Sequence, residues 1–66
     1  MEGFVKSIIP EKGYGFIQSG DESLFFHCTF LPDDLPFDER LLERRVSFDR
    51  RVTSKGSQAI RIREAL

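Results

Sequence analysis

Apolar and polar residues alternate along this chain in short runs separated by turn-forming clusters, the pattern of strands that bury one face and wet the other. Phe4 to Ile9 is rich in β-formers and stops at Pro10, which makes it the first expected strand. The tight Pro10-Glu11-Lys12-Gly13 connection leads into a second, Gly13 to Gln18. Ser19-Gly20-Asp21-Glu22 is a polar hairpin turn, and Ser23 to Cys28 reads as the third strand. Arg45 to Val52 alternates as a fourth, with Val46, Phe48, Arg50 and Val52 on one side. After a turn at Thr53-Ser54-Lys55-Gly56-Ser57 comes the fifth, Ala59 to Arg63, with Ile60 and Ile62 opposite Arg61 and Arg63. Between the third and fourth strands, Pro32 and Pro36 make the chain irregular. A helical turn is expected within Asp38 to Arg45, pointing Leu41 and Leu42 inward.

Five strands in 66 residues cannot form a two-layer sandwich with an adequate core. Closing one sheet on itself removes the edges and gives the most core per residue. The expected fold is all-β, a five-stranded antiparallel Greek-key barrel of the OB type, with residues 1–66 as a single domain.

Side chains alternate across a strand with period 2, so the second and third strands each present two sets. Tyr14 and Phe16 share one face of the second strand, and Phe25 and His27 share one face of the third. A Phe/Tyr pair at this spacing is usually core. Here, however, Ile17, Leu24 and Phe26 supply core candidates for the opposite faces, which leaves Tyr14, Phe16, Phe25 and His27 outside. Four flat side chains on two strands joined by a tight hairpin would form one aromatic platform. Such a surface suits unstacked bases, at about 1–3 kcal/mol per base, with Lys6 and Lys12 beside it to meet phosphates.

Composition narrows the classes. Apolar residues are 39% and charged residues 32%, the mix of a globular protein rather than a disordered one. The single cysteine, Cys28, excludes an internal disulfide, and Cys28 with His27 cannot supply the four ligands of a structural zinc. No metal or cofactor is expected. No stretch approaches the roughly 20 apolar residues of a membrane span, and Met1-Glu2-Gly3 does not start a signal peptide. The expectation is a reduced, cytoplasmic protein without membrane contact. Catalysis needs paired acid–base groups in a pocket, and a small filled barrel offers no deep cleft, so no enzyme is expected.

The net charge of −1 argues at first against a nucleic-acid partner, but it is an average. Residues 1–39 hold two lysines and eight acids, whereas residues 40–66 hold eight Lys/Arg and three acids. A ring-based site beside two lysines predicts modest affinity and a shallow salt dependence. The acidic run at Asp33, Asp34, Asp38 and Glu39 is either a solvated loop or a negative rim that narrows the binding groove.

The chain resembles the cold-shock domain family over essentially its whole length. Lys12-Gly13-Tyr14-Gly15-Phe16-Ile17 resembles the family's first ribonucleoprotein-type motif and Leu24-Phe25-Phe26-His27 its second, with Gly3-Phe4-Val5-Lys6 and Gly56-Ser57-Gln58-Ala59 in the family's places. An RRM carries its second motif on an earlier strand and needs two helices, so that alternative fails. The resemblance implies a barrel that binds single-stranded RNA or DNA across strands 1 to 3. It implies stacking by Tyr14, Phe16, Phe25 and His27, a loop aromatic at Phe37, and phosphate contacts at Lys6 and Lys12. A non-enzymatic RNA chaperone, or a modulator of transcription or translation, follows.

The departures point to weaker binding. Ser7 stands where the family has an exposed Trp, Cys28 where it commonly has Phe, Ser57 where it has Pro, and Glu43-Arg44 where it has a Gly-Gln turn. Phe26 replaces a smaller Val, which requires a small neighbour. Two lost stacking positions remove about 1–3 kcal/mol each. The alternative is a weak or non-binding module used for protein interaction or homodimerisation, its Pro-containing loop serving as a hinge for strand exchange; a monomer and a weak dimer both remain open.

Overall fold

The computed structural model describes residues 1–65; Leu66, the last residue of the expected domain, lies outside the described residues. Alternating apolar positions give five strands, β1 (Glu2–Ile9), β2 (Tyr14–Ser19), β3 (Glu22–His27), β4 (Arg45–Thr53) and β5 (Gly56–Glu64). They close into a barrel in the order β1-β2-β3-β5-β4. Antiparallel ladders join β1 to β2, β2 to β3, β4 to β5 and β1 to β4. The remaining seam is parallel and meets at Phe25 and Gln58. Among the described residues no helix is long and apolar enough to cross a membrane.

The barrel is filled by Val5, Ile17, Leu24, Phe26, Val46, Phe48, Ala59 and Ile62, with Leu35 and Leu41 reaching in from the long connection. Ile17, Leu24 and Phe26 thus take the inward places expected of them. β1, β4 and β5 run one to three residues beyond their expected limits, whereas β2 is displaced by one residue toward the C-terminus and β3 by one toward the N-terminus, ending at His27. Cys28 was expected in that strand but opens a 3₁₀ turn, Cys28–Phe30, whose first free backbone donor is taken by the His27 ring.

Two bulges reset the alternation. In β1 the register shifts between Val5 and Ser7, which places both Lys6 and Ser7 on the outside while Ile8 returns inward opposite Gly15. In β5 an extra residue at Arg61, in the left-handed region with φ 52°, buries Ala59 and Ile62, three apart. Ile60, expected to share the inner face with Ile62, is therefore only half-buried. Val52, expected on the side of Val46 and Phe48, is 69% exposed because the end of β4 extends past the barrel into the β4–β5 hairpin.

The helical turn expected after Asp38 is a single 3₁₀ turn, Glu39–Leu41, capped by the Asp38 carboxylate accepting from Arg40 N–H at 2.9 Å. With about three residues per turn, only one of two successive leucines faces the barrel. Leu41 is buried and Leu42 is 41% exposed, contrary to the expectation that both point inward.

Candidate nucleic-acid interface

Because Gly15, Ile17, Leu24 and Phe26 occupy the inner faces of β2 and β3, the intervening residues are turned outward. The ladder sets Tyr14 opposite His27 and Phe16 opposite Phe25. Tyr14, Phe16 and Phe25 form a three-ring cluster, each ring half-buried by the others. Tyr14 and Phe25 are tilted by 41° at 5.2 Å between centroids, and Phe16 meets both near edge-on at 6.1 Å. These are favourable aromatic geometries, and they hold the rings in fixed positions on the barrel wall.

His27 is oriented by its own chain. Its Nδ1 accepts from the Thr29 backbone N–H at 3.2 Å and lies 3.0 Å from the Thr29 hydroxyl. With Nδ1 accepting, the neutral ring carries its proton on Nε2, beside Gly13. Gly13 adopts φ +75°, in the region that favours glycine; a Cβ there would only touch Cys28 Sγ at 3.4 Å and His27 Nε2 at 3.8 Å, so backbone conformation and not space selects the glycine.

Lys6 projects from the β1 bulge and donates to Gln18 Oε1 at 3.3 Å. Lys12 is exposed in the β1–β2 turn. Neither lysine has a carboxylate partner among the described residues. The structure therefore gathers Lys6, Lys12, Tyr14, Phe16, Phe25 and His27 on the β1–β3 side. It ties Phe37 elsewhere: that ring is half-buried and packs edge-to-face on core Phe26 at 6.2 Å, outside the three-ring cluster. Ser7, opposite Phe16, ends the outward row on β1 without a ring.

The other side of the platform is a region that sequence reasoning did not assign. Phe16 and Phe25 form one wall of an open groove of about 450 Å³, and Thr53, Lys55, Ser57 and Gln58 of the β4–β5 hairpin form the other. The groove exists because the parallel seam brings β5 beside β3, a contact between segments distant in sequence. The glycine-containing Gly56-Ser57-Gln58-Ala59 segment was the one available signal, and it marks position rather than contact.

Beneath this wall, the Glu22 carboxylate accepts from Arg50 Nε at 3.0 Å and Nη2 at 2.7 Å, and from Ser57 Oγ at 2.8 Å. The Arg50 hydrogen bonds foremost, then the Ser57 hydroxyl, hold Glu22 below the ordinary glutamate range. The same contact raises Arg50. One acid of the first half of the chain is thus neutralised by one arginine of the second, and β3, β4 and β5 are tied together. Among the described residues no three His, Cys, Asp or Glu side chains gather as a metal site requires.

Comparison with known proteins agrees with this geometry. Residues 1–65 match the family profile of the 'Cold-shock' DNA-binding domain. Comparison with curated proteins returns no match. Among solved structures, drosophila Unr CSD456 superposes with a TM-score of 0.76 and 26% identity over 98% of this chain. The chain spans 26% of the length of that structure. A profile match over nearly every residue, on a barrel that turns its rings outward from β2 and β3, places this chain in the cold-shock DNA-binding domain family, whose members are nucleic-acid-binding modules.

Proposed function

We propose that the chain binds single-stranded RNA or DNA without catalysis, bases stacking on Tyr14, Phe16, Phe25 and His27, with Lys6 and Lys12 meeting phosphates. Phe37, whose ring packs on core Phe26 outside that cluster, adds a separate contact from the long connection. The reading is carried by one observation: the core is complete without the Tyr14–Phe16–Phe25 cluster, which stands half-exposed on the outer wall. Rings that fill no core need another partner, and every base offers a π-face. A duplex hides those faces, so the platform selects unpaired strands. Holding strands unpaired shifts hairpin equilibria toward the open form in proportion to the affinity difference, which is the work of an RNA chaperone that modulates transcription or translation.

The test is a titration of a labelled oligothymidine or oligouridine followed by anisotropy. Phe16→Ala and Phe25→Ala should each weaken binding by about 1–3 kcal/mol, the stacking contribution of one base, in variants that remain folded. Wild-type affinity in both folded variants would refute the platform.

A further inference from the structure

The family's ring after the His is lost at Cys28, yet the same 3₁₀ turn carries a different ring two residues on, Phe30, half-buried at the edge of the barrel. The guanidinium carbon of Arg51 sits over that ring, 5.9 Å from its centroid. Arg51 is steered from its other side as well, donating from Nη2 to Gln58 Oε1 at 3.0 Å. Gln58 of β5 lies opposite Arg51 of β4 and opposite Phe25 of β3. Register alone therefore sets Phe16, Phe25, Gln58 and Arg51 in one row across β2, β3, β5 and β4.

The charge of Arg51 is also unspent. Arg40, Arg44, Arg45, Arg50 and Arg61 all face carboxylates, whereas the partners of Arg51 among the described residues are a neutral amide and a π-face. A guanidinium laid on a ring hides its poorly hydrated face and keeps its in-plane N–H donors at the edge, where those not given to Gln58 are suited to a phosphate.

We propose that Arg51, laid over Phe30 and steered by Gln58, is a phosphate-binding subsite that leads a single strand off the Phe16–Phe25 platform, across Gln58, toward the outer edge of β4. The subsite rests on the reading of β2–β3 as a base platform. Phe30 acts in it as a positioning residue, since it touches the arginine and not the strand.

Salt dependence tests it. A phosphate contact to a single strand carries a slope of about −0.7 in log K against log salt. With a labelled oligothymidine of about nine nucleotides, titrated from about 0.05 to 1 M salt, Arg51→Gln should bind about fivefold more weakly at ~0.1 M. Its slope should be shallower by ~0.7, and the difference should close as salt approaches ~1 M. Arg51→Lys should recover the slope. Arg63→Gln makes the same change in net charge further along β5 and should leave the slope unaltered. If Arg51→Gln matches Arg63→Gln in slope and affinity while Phe25→Ala binds weakly, the subsite is wrong and the platform stands. If the wild type does not bind, or Phe25→Ala binds as the wild type does, both readings fall.

Discussion

Gly15 lies directly opposite Phe26 across the β2–β3 ladder, and the Phe26 ring fills the space that a Gly15 side chain would need. A Cβ on Gly15 would come within 2.9 Å of two ring atoms of Phe26 and 2.6 Å of the Ser7 carbonyl oxygen. Phe26 is fully buried, so the ring cannot swing into solvent. The large core residue in this chain is thus accommodated by the residue it pairs with.

Gly15→Ala should destabilise the barrel by about 1–3 kcal/mol, the usual range for overpacking, as read by urea unfolding. Phe26→Val should cost a similar amount through the cavity it leaves. Part of the first clash is with the Phe26 ring, so the double variant should be more stable than the sum of the two by at least about 0.5 kcal/mol. Additive effects would show that the clash with the β1 carbonyl alone decides.

Much of this was legible in the sequence, and the residues that were not fall to two causes. The outward places of Tyr14, Phe16, Phe25 and His27 follow from period 2 because β2 and β3 pair through a two-residue turn with no bulge between them. Ile60 escapes that reading because the bulge at Arg61 inserts a residue between it and Ile62, so the two no longer share a face. The juxtaposition of Gln58, Arg51 and Phe30 with the platform is not legible for another reason. What brings them to the platform is closure of β3 against β5, and nothing local in either segment encodes that partner.

Glu43 is the clearest local conflict between residue and backbone. It stands where the family turn has Gly, and it holds φ 65°, the left-handed region. Its backbone N–H donates to Val5 O at 2.7 Å, so the conformation is pinned by the β1 connection. A non-glycine residue there costs about 1–2 kcal/mol, partly offset in a glycine variant by the freer unfolded chain. Glu43→Gly should therefore stabilise the protein by about 0.5–1 kcal/mol in denaturant unfolding, and Glu43→Val should destabilise it. A loss of stability in the glycine variant would contradict the strain.

Acid should loosen the β3–β4–β5 corner through Glu22. Its folded pKa is depressed by Arg50 and Ser57, so its contribution is fully present above the ordinary carboxylate range and is lost as pH falls through the folded value. Asp38, depressed by Arg40, adds to stability with the same sign. Thermal melts between about pH 5 and pH 2 should show a steeper fall in Tm for the wild type than for Glu22→Gln, the two curves converging at the acid end. Parallel curves over that range would show that the ion pair adds nothing to stability.

The platform can be extended as well as removed. Ser7 is opposite Phe16 on the outer face and its Oγ makes no hydrogen bond within the described structure, so a larger side chain there displaces solvent and not core. The bulge at Lys6 already turns this position outward, beside the three rings. Ser7→Trp should add one stacking surface at the β1 end of the row. At about 1–3 kcal/mol per base, that is roughly a fivefold to 150-fold gain in affinity for a short oligothymidine. Because the added contact is uncharged, the salt slope should not change. An affinity gain with an unchanged slope would show that binding on β1–β3 is limited by stacking area. No gain in a folded Ser7→Trp variant would mean that the strand does not pass over β1, and the base platform would then be confined to β2 and β3.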